Sequence, residues 1–356
     1  MNERISTLSH LILPLLEWFR DNQRTLPWRS DPTPYHVWVS EIMLQQTRVA
    51  AVLGYYRRFM EALPTVADLA QVEEDQLLKL WQGLGYYNRA RNLQKAARQI
   101  MEQFGGQFPR SYPDLLSLAG VGDYTAGAIA SIAFGLPEPA VDGNVLRVVT
   151  RITGDPSDIS QAATKKVIRA ALAEVIPLQA PGDFNQALME LGALVCLPNG
   201  APDCAHCPAH GFCAAHLTGK TAQIPVKGAK KPRKIEERTV YLLFHCGQVA
   251  LRRRPAKGLL AGLWEFPNEV VGSAESAGWG LDLTQAEVCG ASRHIFTHRE
   301  WHMTGKQLFL TNETLPEGWV WADEKAFCEI YAVPNAFSAF LPAVEAYFAQ
   351  WRGGLS

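Results

Sequence analysis

At 356 residues the chain is longer than one hydrophobic core usually organises, so two or three domains are expected. Hydrophobic residues make up 47% and charged residues 19%, and no apolar run approaches the roughly 20 residues of a membrane-spanning helix, so a soluble globular protein is expected. The N-terminus, with Asn2, Glu3 and Arg4 ahead of an amphipathic stretch, lacks the basic-then-apolar layout of a signal peptide, and a cytoplasmic location is the expectation. The net charge is -1, with 24 basic against 21 acidic residues through position 235 and 10 against 14 beyond it. Composition therefore neither supports nor excludes nucleic acid, and a DNA-binding face has to be local.

The first 217 residues read as helix after helix. Leu8–Arg20 carries apolar residues at helical spacing, and Val37–Met60 is a long apolar-rich stretch expected to break near Gly54. Within it, Trp38-Val39-Ser40-Glu41-Ile42-Met43-Leu44-Gln45-Gln46-Thr47 is apolar on most sides, so Glu41 is expected to be partly buried. Desolvation raises a carboxyl pKa and keeps a proton available near neutrality, which suits a general acid, although a glutamate on a helix is more often merely solvated. Asp75–Trp81 and Asn92–Phe104 are further helices. Between them Gly83–Asn92 sets Tyr86 and Tyr87 beside Arg89 and Arg91, and Arg91, Lys95 and Arg98 can share a stripe facing phosphate or solvent.

Leu118–Ala126 contains Gly120 and Gly122 in a turn that enters the helix Tyr124–Phe134. Backbone N–H groups at such a terminus suit a phosphate oxygen, though any tight helix–turn–helix can use the glycines. Asp142 and Asn144 follow in Pro139–Val145, where ordinary capping of the helix Gly143–Ile152 competes with a catalytic role. Ala162–Val175 and Phe184–Val195 complete the helical region. Cys196, Cys204, Cys207 and Cys213 then crowd together as C-x7-C-x2-C-x5-C. Four thiolates at this spacing suit either tetrahedral Zn(II), towards which spacing alone leans, or a [4Fe-4S] cluster.

From Lys220 to Lys234 the chain carries Pro225, Gly228, Pro232 and six Lys or Arg residues, and reads as an exposed basic connector. Strand patterns follow. Thr239–Phe244 and Val249–Arg253 flank a hairpin turn at Cys246-Gly247, and Trp264–Pro267, Ala291–Phe296 and Gln307–Leu310 add candidate strands. Ala336–Gln350 looks like a closing helix, so the C-terminal region is expected to be α+β.

Taken together, Trp38–Thr47, Gly83–Asn92, the Gly120/Gly122 hairpin, Val141–Val145 and the four cysteines closely resemble the MutY family of adenine DNA glycosylases, over about Trp18 to Ala214 and in order. The resemblance implies a multidomain protein, an all-α helix–hairpin–helix glycosylase domain with an iron–sulfur loop followed by an α+β Nudix-like domain. The implied boundaries are a helical catalytic region over 1–219, a linker over 220–235 and the Nudix-like domain over 236–356. Within the catalytic region a six-helix barrel module spans about 30–138, and an iron–sulfur module takes 1–29 with 139–219. It implies a [4Fe-4S] cluster on Cys196, Cys204, Cys207 and Cys213. The first gap here is seven residues where the family usually has six.

By the same resemblance Glu41 protonates adenine, Asp142 stabilises the cationic sugar, and Tyr124 and Asn144 orient them. Gln186 is implied near the base, Gln46 and Tyr86 as wedges in the base stack, and Arg29 and Thr47 among the substrate- and DNA-binding residues. Gly120 and Gly122 are implied on the DNA backbone. The C-terminal Gly258–Pro267 stretch resembles the Nudix-like domain, but nothing after Pro267 supplies the Arg-Glu and Glu-Glu helix of a working hydrolase, so a binding module is implied. Phe296, Thr297 and His298 stand where the family has the Phe-Ser-His loop that probes 8-oxoguanine. The implied partner is double-stranded DNA carrying adenine opposite 8-oxoguanine or guanine, met by a monomer with no membrane attachment. Two other readings compete. One is a glycosylase/lyase of the endonuclease III branch, which needs a lysine where Tyr124 stands. The other is a DNA-binding redox sensor, which needs neither Glu41 nor Asp142. His294, His298 and His302 also offer a metal site from sequence alone.

Overall fold

Thr33 and Pro34 show how the first part of the chain is punctuated. The Thr33 hydroxyl accepts the His36 N–H at 3.2 Å, and Pro34 takes the first helical position, where its missing N–H costs nothing. The computed structural model describes residues 2–228, 232–312 and 314–354. Its helices are α1 (Asn2–Asn22), α2 (Pro27–Ser30), α3 (Pro34–Leu44), α4 (Val49–Ala62), α5 (Val66–Gln71), α6 (Glu74–Leu80), α7 (Asn88–Gln103) and α8 (Tyr112–Ser117). They continue with α9 (Asp123–Ala128), α10 (Gly143–Thr153), α11 (Ala162–Val175), α12 (Pro181–Leu194) and α13 (Ala214–Leu217). None among the described residues is long and apolar enough to cross a membrane.

The chain divides into two units, residues 1–71 with 92–229 and residues 72–91 with 230–356. In the first, α1, α10, α11 and α12 bury Leu8, Leu11, Leu15, Val148, Leu172, Phe184 and Leu188 in one core. Each such side chain contributes about 1.5–3 kcal/mol on burial. The α10 helix is closed at both ends. Asp142 caps its N-terminus through the Val145 N–H, and Gly154 ends it in the left-handed region at φ 67°. Gly127 in α9 is required by a close approach, because a Cβ there would lie 2.3 Å from the Pro139 carbonyl oxygen.

The second unit holds a seven-stranded mixed sheet of β1 (Lys234–His245), β2 (Gln248–Arg253), β3 (Trp264–Glu265), β4 (Asn268–Val270), β5 (Glu287–Ile295), β6 (Arg299–Phe309) and β7 (Trp319–Ala322). The order is β3-β2-β1-β6-β5, with β4 on β1 and β7 on β2; β1 and β6 run parallel and the remaining pairs antiparallel. One face packs Val240, Leu242, Phe244, Trp301 and Met303 against the closing helix α15 (Leu341–Gly354), which follows α14 (Glu324–Glu329). Residues 72–91 dock on this unit through hydrogen bonds. Lys79 Nζ donates to the Phe327 and Tyr331 carbonyls at 3.0 Å each, Gln82 Nε2 to Val333 O at 2.9 Å, and Arg91 Nη2 to Ala261 O at 2.8 Å.

Several expectations from sequence are revised. The Val37–Met60 stretch breaks at Gln45–Arg48, where Gln46 sits at φ 60°, and not at Gly54, which lies inside α4. Beyond Ala128 the helix widens into a π turn over Ile129–Ala133. Strand β1 starts at Lys234, five residues before the apolar run, because its parallel partner β6 pairs that far. Of the expected connector, Ala229, Lys230 and Lys231 lie outside the described residues. Its earlier part is largely exposed, as expected, but is anchored locally, since Ile224 is 5% exposed, Arg151 Nε donates to Ile224 O at 2.7 Å, and Val226 bridges to Asp158. The Cys246-Gly247 turn is as expected, both residues having positive φ as a type I′ hairpin requires.

Candidate active site

The buried face of α3 brings Glu41 inward, leaving 7% of it exposed. The second residue of α9, Tyr124, donates its phenol O–H to Glu41 Oε2 and also reaches Met189 Sδ at 3.2 Å. Burial pushes the Glu41 carboxyl up to about 7. The Tyr124 hydrogen bond opposes that rise, the nearby Asp142 charge adds to it, and Arg29 opposes it. The same burial, with the Glu41 and Asp142 charges, raises Tyr124 well above the ordinary phenol range. Glu41 is thus a carboxylic acid that still carries its proton in about half the molecules at neutrality, lying beside a phenol that does not ionise.

Asp142 is both an N-cap and a member of this group. Its Oδ1 accepts from Val145 N at 2.8 Å and its Oδ2 from Asn144 Nδ2 at 2.7 Å. Burial raises its carboxyl, while the Val145 and Asn144 hydrogen bonds and Arg147 pull the other way. The capping bonds fix both oxygens, so the residue types that mark a helix start also aim a carboxylate. Arg147 Nη2 donates to Asn144 Oδ1 at 2.9 Å and Gly192 O at 2.8 Å, while its Nε reaches Cys196 O at 2.7 Å. The segment leading into Asp142 is held by Asn185. Its side chain accepts from Ala140 N at 3.0 Å and donates to Glu138 O and Ser131 Oγ at 2.8 Å each.

Arg29 and Gln186 meet here as well. Arg29 Nε donates to Gln186 Oε1 at 3.0 Å, which leaves the amide N–H₂ as the group Gln186 has to offer. Glu190, which the sequence did not single out, gathers Arg24 and Arg29. Burial disfavours its charge, yet the hydrogen bonds from Arg24 and Arg29 outweigh that and bring it to about 2. Asn185, Met189, Glu190 and Arg24 were missed because each is an ordinary residue in its own segment.

Gly120, at φ 73°, makes the hairpin turn, and Gly122 leads into α9. Gln46 is exposed just past α3, and Thr47 is half-buried with its N–H on Leu44 O at 3.2 Å. In the other unit Tyr86 is half-exposed at φ 48°, and its hydroxyl is 3.0 Å from Thr297 Oγ1. Thr297 and His298 are exposed at the β5–β6 turn, while Phe296 beneath them packs edge-on to Trp301 and His294 at 4.9 and 4.6 Å. His302 pairs with Glu300 and Glu237, not with the other two histidines. Arg91 and Arg98 do not form a free basic stripe, for Arg91 bonds Glu74 and Ala261 O and Arg98 bonds Ala70 O.

The four cysteines line one pocket, partly open to solvent, together with Arg151, His210 and His216. Arg151 Nη1 donates to Cys196 Sγ at 3.3 Å, and Cys213 Sγ donates to Arg151 O at 3.4 Å. Among the described residues no three His, Cys, Asp or Glu side chains converge tightly enough for a single ion. The four-thiol donor set fits a [4Fe-4S] cluster.

A family model described as HhH-GPD superfamily base excision DNA repair protein matches residues 39–177, and a NUDIX domain model matches residues 239–343. A Mus musculus protein named adenine DNA glycosylase is 35% identical over 88% of this chain and 74% of its own. The Homo sapiens protein of that name is 39% identical over 71% of this chain and 56% of its own, so the chain spans little more than half of the human relative. Among solved structures, a non-covalent endonuclease III–DNA complex aligns with a TM-score of 0.52 and 26% identity, covering 60% of this chain and 97% of that one.

Proposed function

The chain belongs to the adenine DNA glycosylase family of helix–hairpin–helix base excision repair proteins, and from that premise we propose that it hydrolyses the N-glycosidic bond of adenine mispaired with 8-oxoguanine or guanine, leaving an abasic site. The observation that carries the reading is Glu41, a buried acid at about 7 with Tyr124 and Asp142 beside it. Adenine is a poor leaving group as an anion, so the departing base must receive a proton. Glu41 delivers it, and the sugar left behind develops positive charge that Asp142 faces as a carboxylate. The base reaches them only after leaving the helix stack, with Gln46 as a wedge and Gln186, held by Arg29, at the base; Thr47 and Tyr86 are DNA-binding residues in this reading.

Gly120 and Gly122 hold the DNA backbone in this reading, and Phe296, Thr297 and His298 read the opposite 8-oxoguanine. Cys196, Cys204, Cys207 and Cys213 would hold a [4Fe-4S] cluster, which when bound supplies rigid closure of the 196–213 loop and not a reacting atom. The phenol at position 124 favours simple hydrolysis over strand cleavage, since a Schiff base needs an amine.

The test incubates the protein with duplexes bearing adenine opposite 8-oxoguanine and compares strand breaks with and without hot alkali. Breaks that appear only after alkali are the expected result. Breaks without alkali in a nuclease-free preparation would identify a lyase, and no breaks in either arm would favour a protein that only binds DNA.

A further inference from the structure

Glu190 lies on α12 one turn beyond Gln186, with 1% of it exposed. Its two oxygens collect five donors. Arg24 supplies its backbone N–H at 3.1 Å, Nε at 2.7 Å and Nη2 at 2.8 Å, while Arg29 supplies Nη1 at 3.2 Å and Nη2 at 2.9 Å. Arg29 Nη1 also bonds the Arg24 carbonyl at 3.1 Å, and its remaining Nε goes to Gln186. Two guanidinium groups on one carboxylate leave one positive charge in excess beside the active site.

Among the site's acids it is Glu41 that feels the Arg29 charge. Glu41 is faced by Tyr124 from α9, Asp142 from the turn before α10 and Arg29 from α2, and Arg29 is the one cation among these influences. Arg24 and Arg29 face Glu190. A guanidinium seated on Glu41 would stabilise its anion and strip the proton that adenine must receive. Glu190 stays ionised throughout the working pH range, so it competes for Arg29 at every pH at which the site operates.

We propose that Glu190 is a positioning residue for adenine excision, which together with Arg24 holds Arg29 on Gln186 and keeps it from pairing with Glu41. The inference rests on the reading of Glu41 as the general acid. It assigns the buried 2:1 cluster a task beyond joining α2 to α12, namely to spend a cation that would otherwise silence the acid.

The experiment measures single-turnover adenine release from an adenine:8-oxoguanine duplex between pH 5.5 and 9, using the full chain and Glu190→Gln, with duplex affinity and thermal unfolding measured alongside. The alkaline limb of the variant should move down by about one pH unit, so its rate falls about tenfold at pH 8 and stays within about twofold of the unaltered protein at pH 5.5. Adding Arg29→Gln in that background should move the limb back up. A uniform loss at all pH, or an unshifted limb, overturns the proposal, because a merely structural defect gives no rescue by acid. Should Glu190→Gln fail to fold, Glu190→Asp carries the same test with a smaller shift in the same direction, and an unshifted limb there overturns it equally. Failure of the unaltered protein to release adenine overturns the reading of Glu41 and this proposal with it. Release with an unshifted variant overturns this proposal alone.

Discussion

In the helical unit Glu41 is buried beside a phenol and a second carboxylate; in the C-terminal unit Glu265 is buried between two arginines. Arg252 Nε lies 2.9 Å from one Glu265 oxygen and Arg254 Nη1 2.5 Å from the other, and the nearby Glu236 is likewise paired with Arg238 and Arg299 and accepts Trp301 Nε1 at 3.0 Å. Burial is similar in both places, but the company differs. A carboxylate desolvated with cations keeps its charge and fastens strands together, whereas one desolvated without a cation in hydrogen-bond contact keeps its proton and becomes a reagent. The same contrast recurs within the helical unit between Glu41, at about 7, and Glu190, at about 2.

The sharpest way to break the comparison is Asp142→Asn. Asparagine still caps α10, so the fold and duplex binding should persist, while excision falls by about 10³-fold, the scale of losing one preorganised electrostatic stabiliser. Single-turnover excision together with duplex binding checks it, and near-normal turnover would remove Asp142 from the mechanism. Glu41→Gln should lower excision by about 10²–10³-fold while making the protein more stable at pH 7.5. The sign follows from the raised carboxyl. Between 4.5 and about 7 the unfolded chain has released this proton and the folded chain still holds it, so rising pH favours unfolding and the full cost is reached above 7. Removing the titration should recover about 2–3 kcal/mol at pH 7.5 and almost nothing at pH 4, read by urea unfolding at the two values. An unchanged stability at pH 7.5 would mean that Glu41 is not desolvated.

Glu41, Tyr124 and Asp142 were legible because each sits in a motif whose local sequence already says something physical. An acid on an apolar helix, a Gly-x-Gly turn entering a helix and an Asp three residues ahead of the N–H it caps all announce themselves. The cluster around Glu190 was not legible. Arg24 and Arg29 lie 166 and 161 residues away in the chain, and arginine and glutamate on helices are by default solvated. The first five residues of β1 were hidden for a related reason, since Lys234–Arg238 has no apolar run and becomes strand only through its parallel pairing with β6. Local pattern reveals side chains chosen for local geometry. What is chosen for a distant partner appears only once the chain is folded.

Glu265→Gln tests the other half of the contrast. The substitution leaves Arg252 and Arg254, with side chains 15% and 14% exposed, facing an uncharged amide. The expected loss is about 3 kcal/mol of stability in the C-terminal unit, measured by chemical denaturation. Arg252 keeps Glu275 at 2.6 Å and the Asn268 carbonyl at 2.5 Å, which holds the loss below that of a fully stranded pair. A stability equal to that of the unaltered protein would show that these ion pairs are dispensable, and with them the structural half of the comparison.

The smallest effect is expected at Thr297 and His298, exposed side chains that in the proposed reading act on specificity and not on the bond that breaks. The turn that carries them is held from below, by the Phe296 N–H on Arg299 O at 2.8 Å and by the Phe296 ring against Trp301, so replacing both with Ala should leave the fold intact. Losing the hydroxyl and imidazole removes one or two net hydrogen bonds worth about 1 kcal/mol each, so the preference for 8-oxoguanine over guanine opposite adenine should fall about fivefold to thirtyfold. The rate of adenine release from the bound duplex should not move, because Glu41 and Asp142 are untouched. Comparing the affinity and the single-turnover rate on the two duplexes separates these outcomes. If the preference survives both substitutions, 8-oxoguanine is read elsewhere, and the β5–β6 turn loses the role that its residue types suggest.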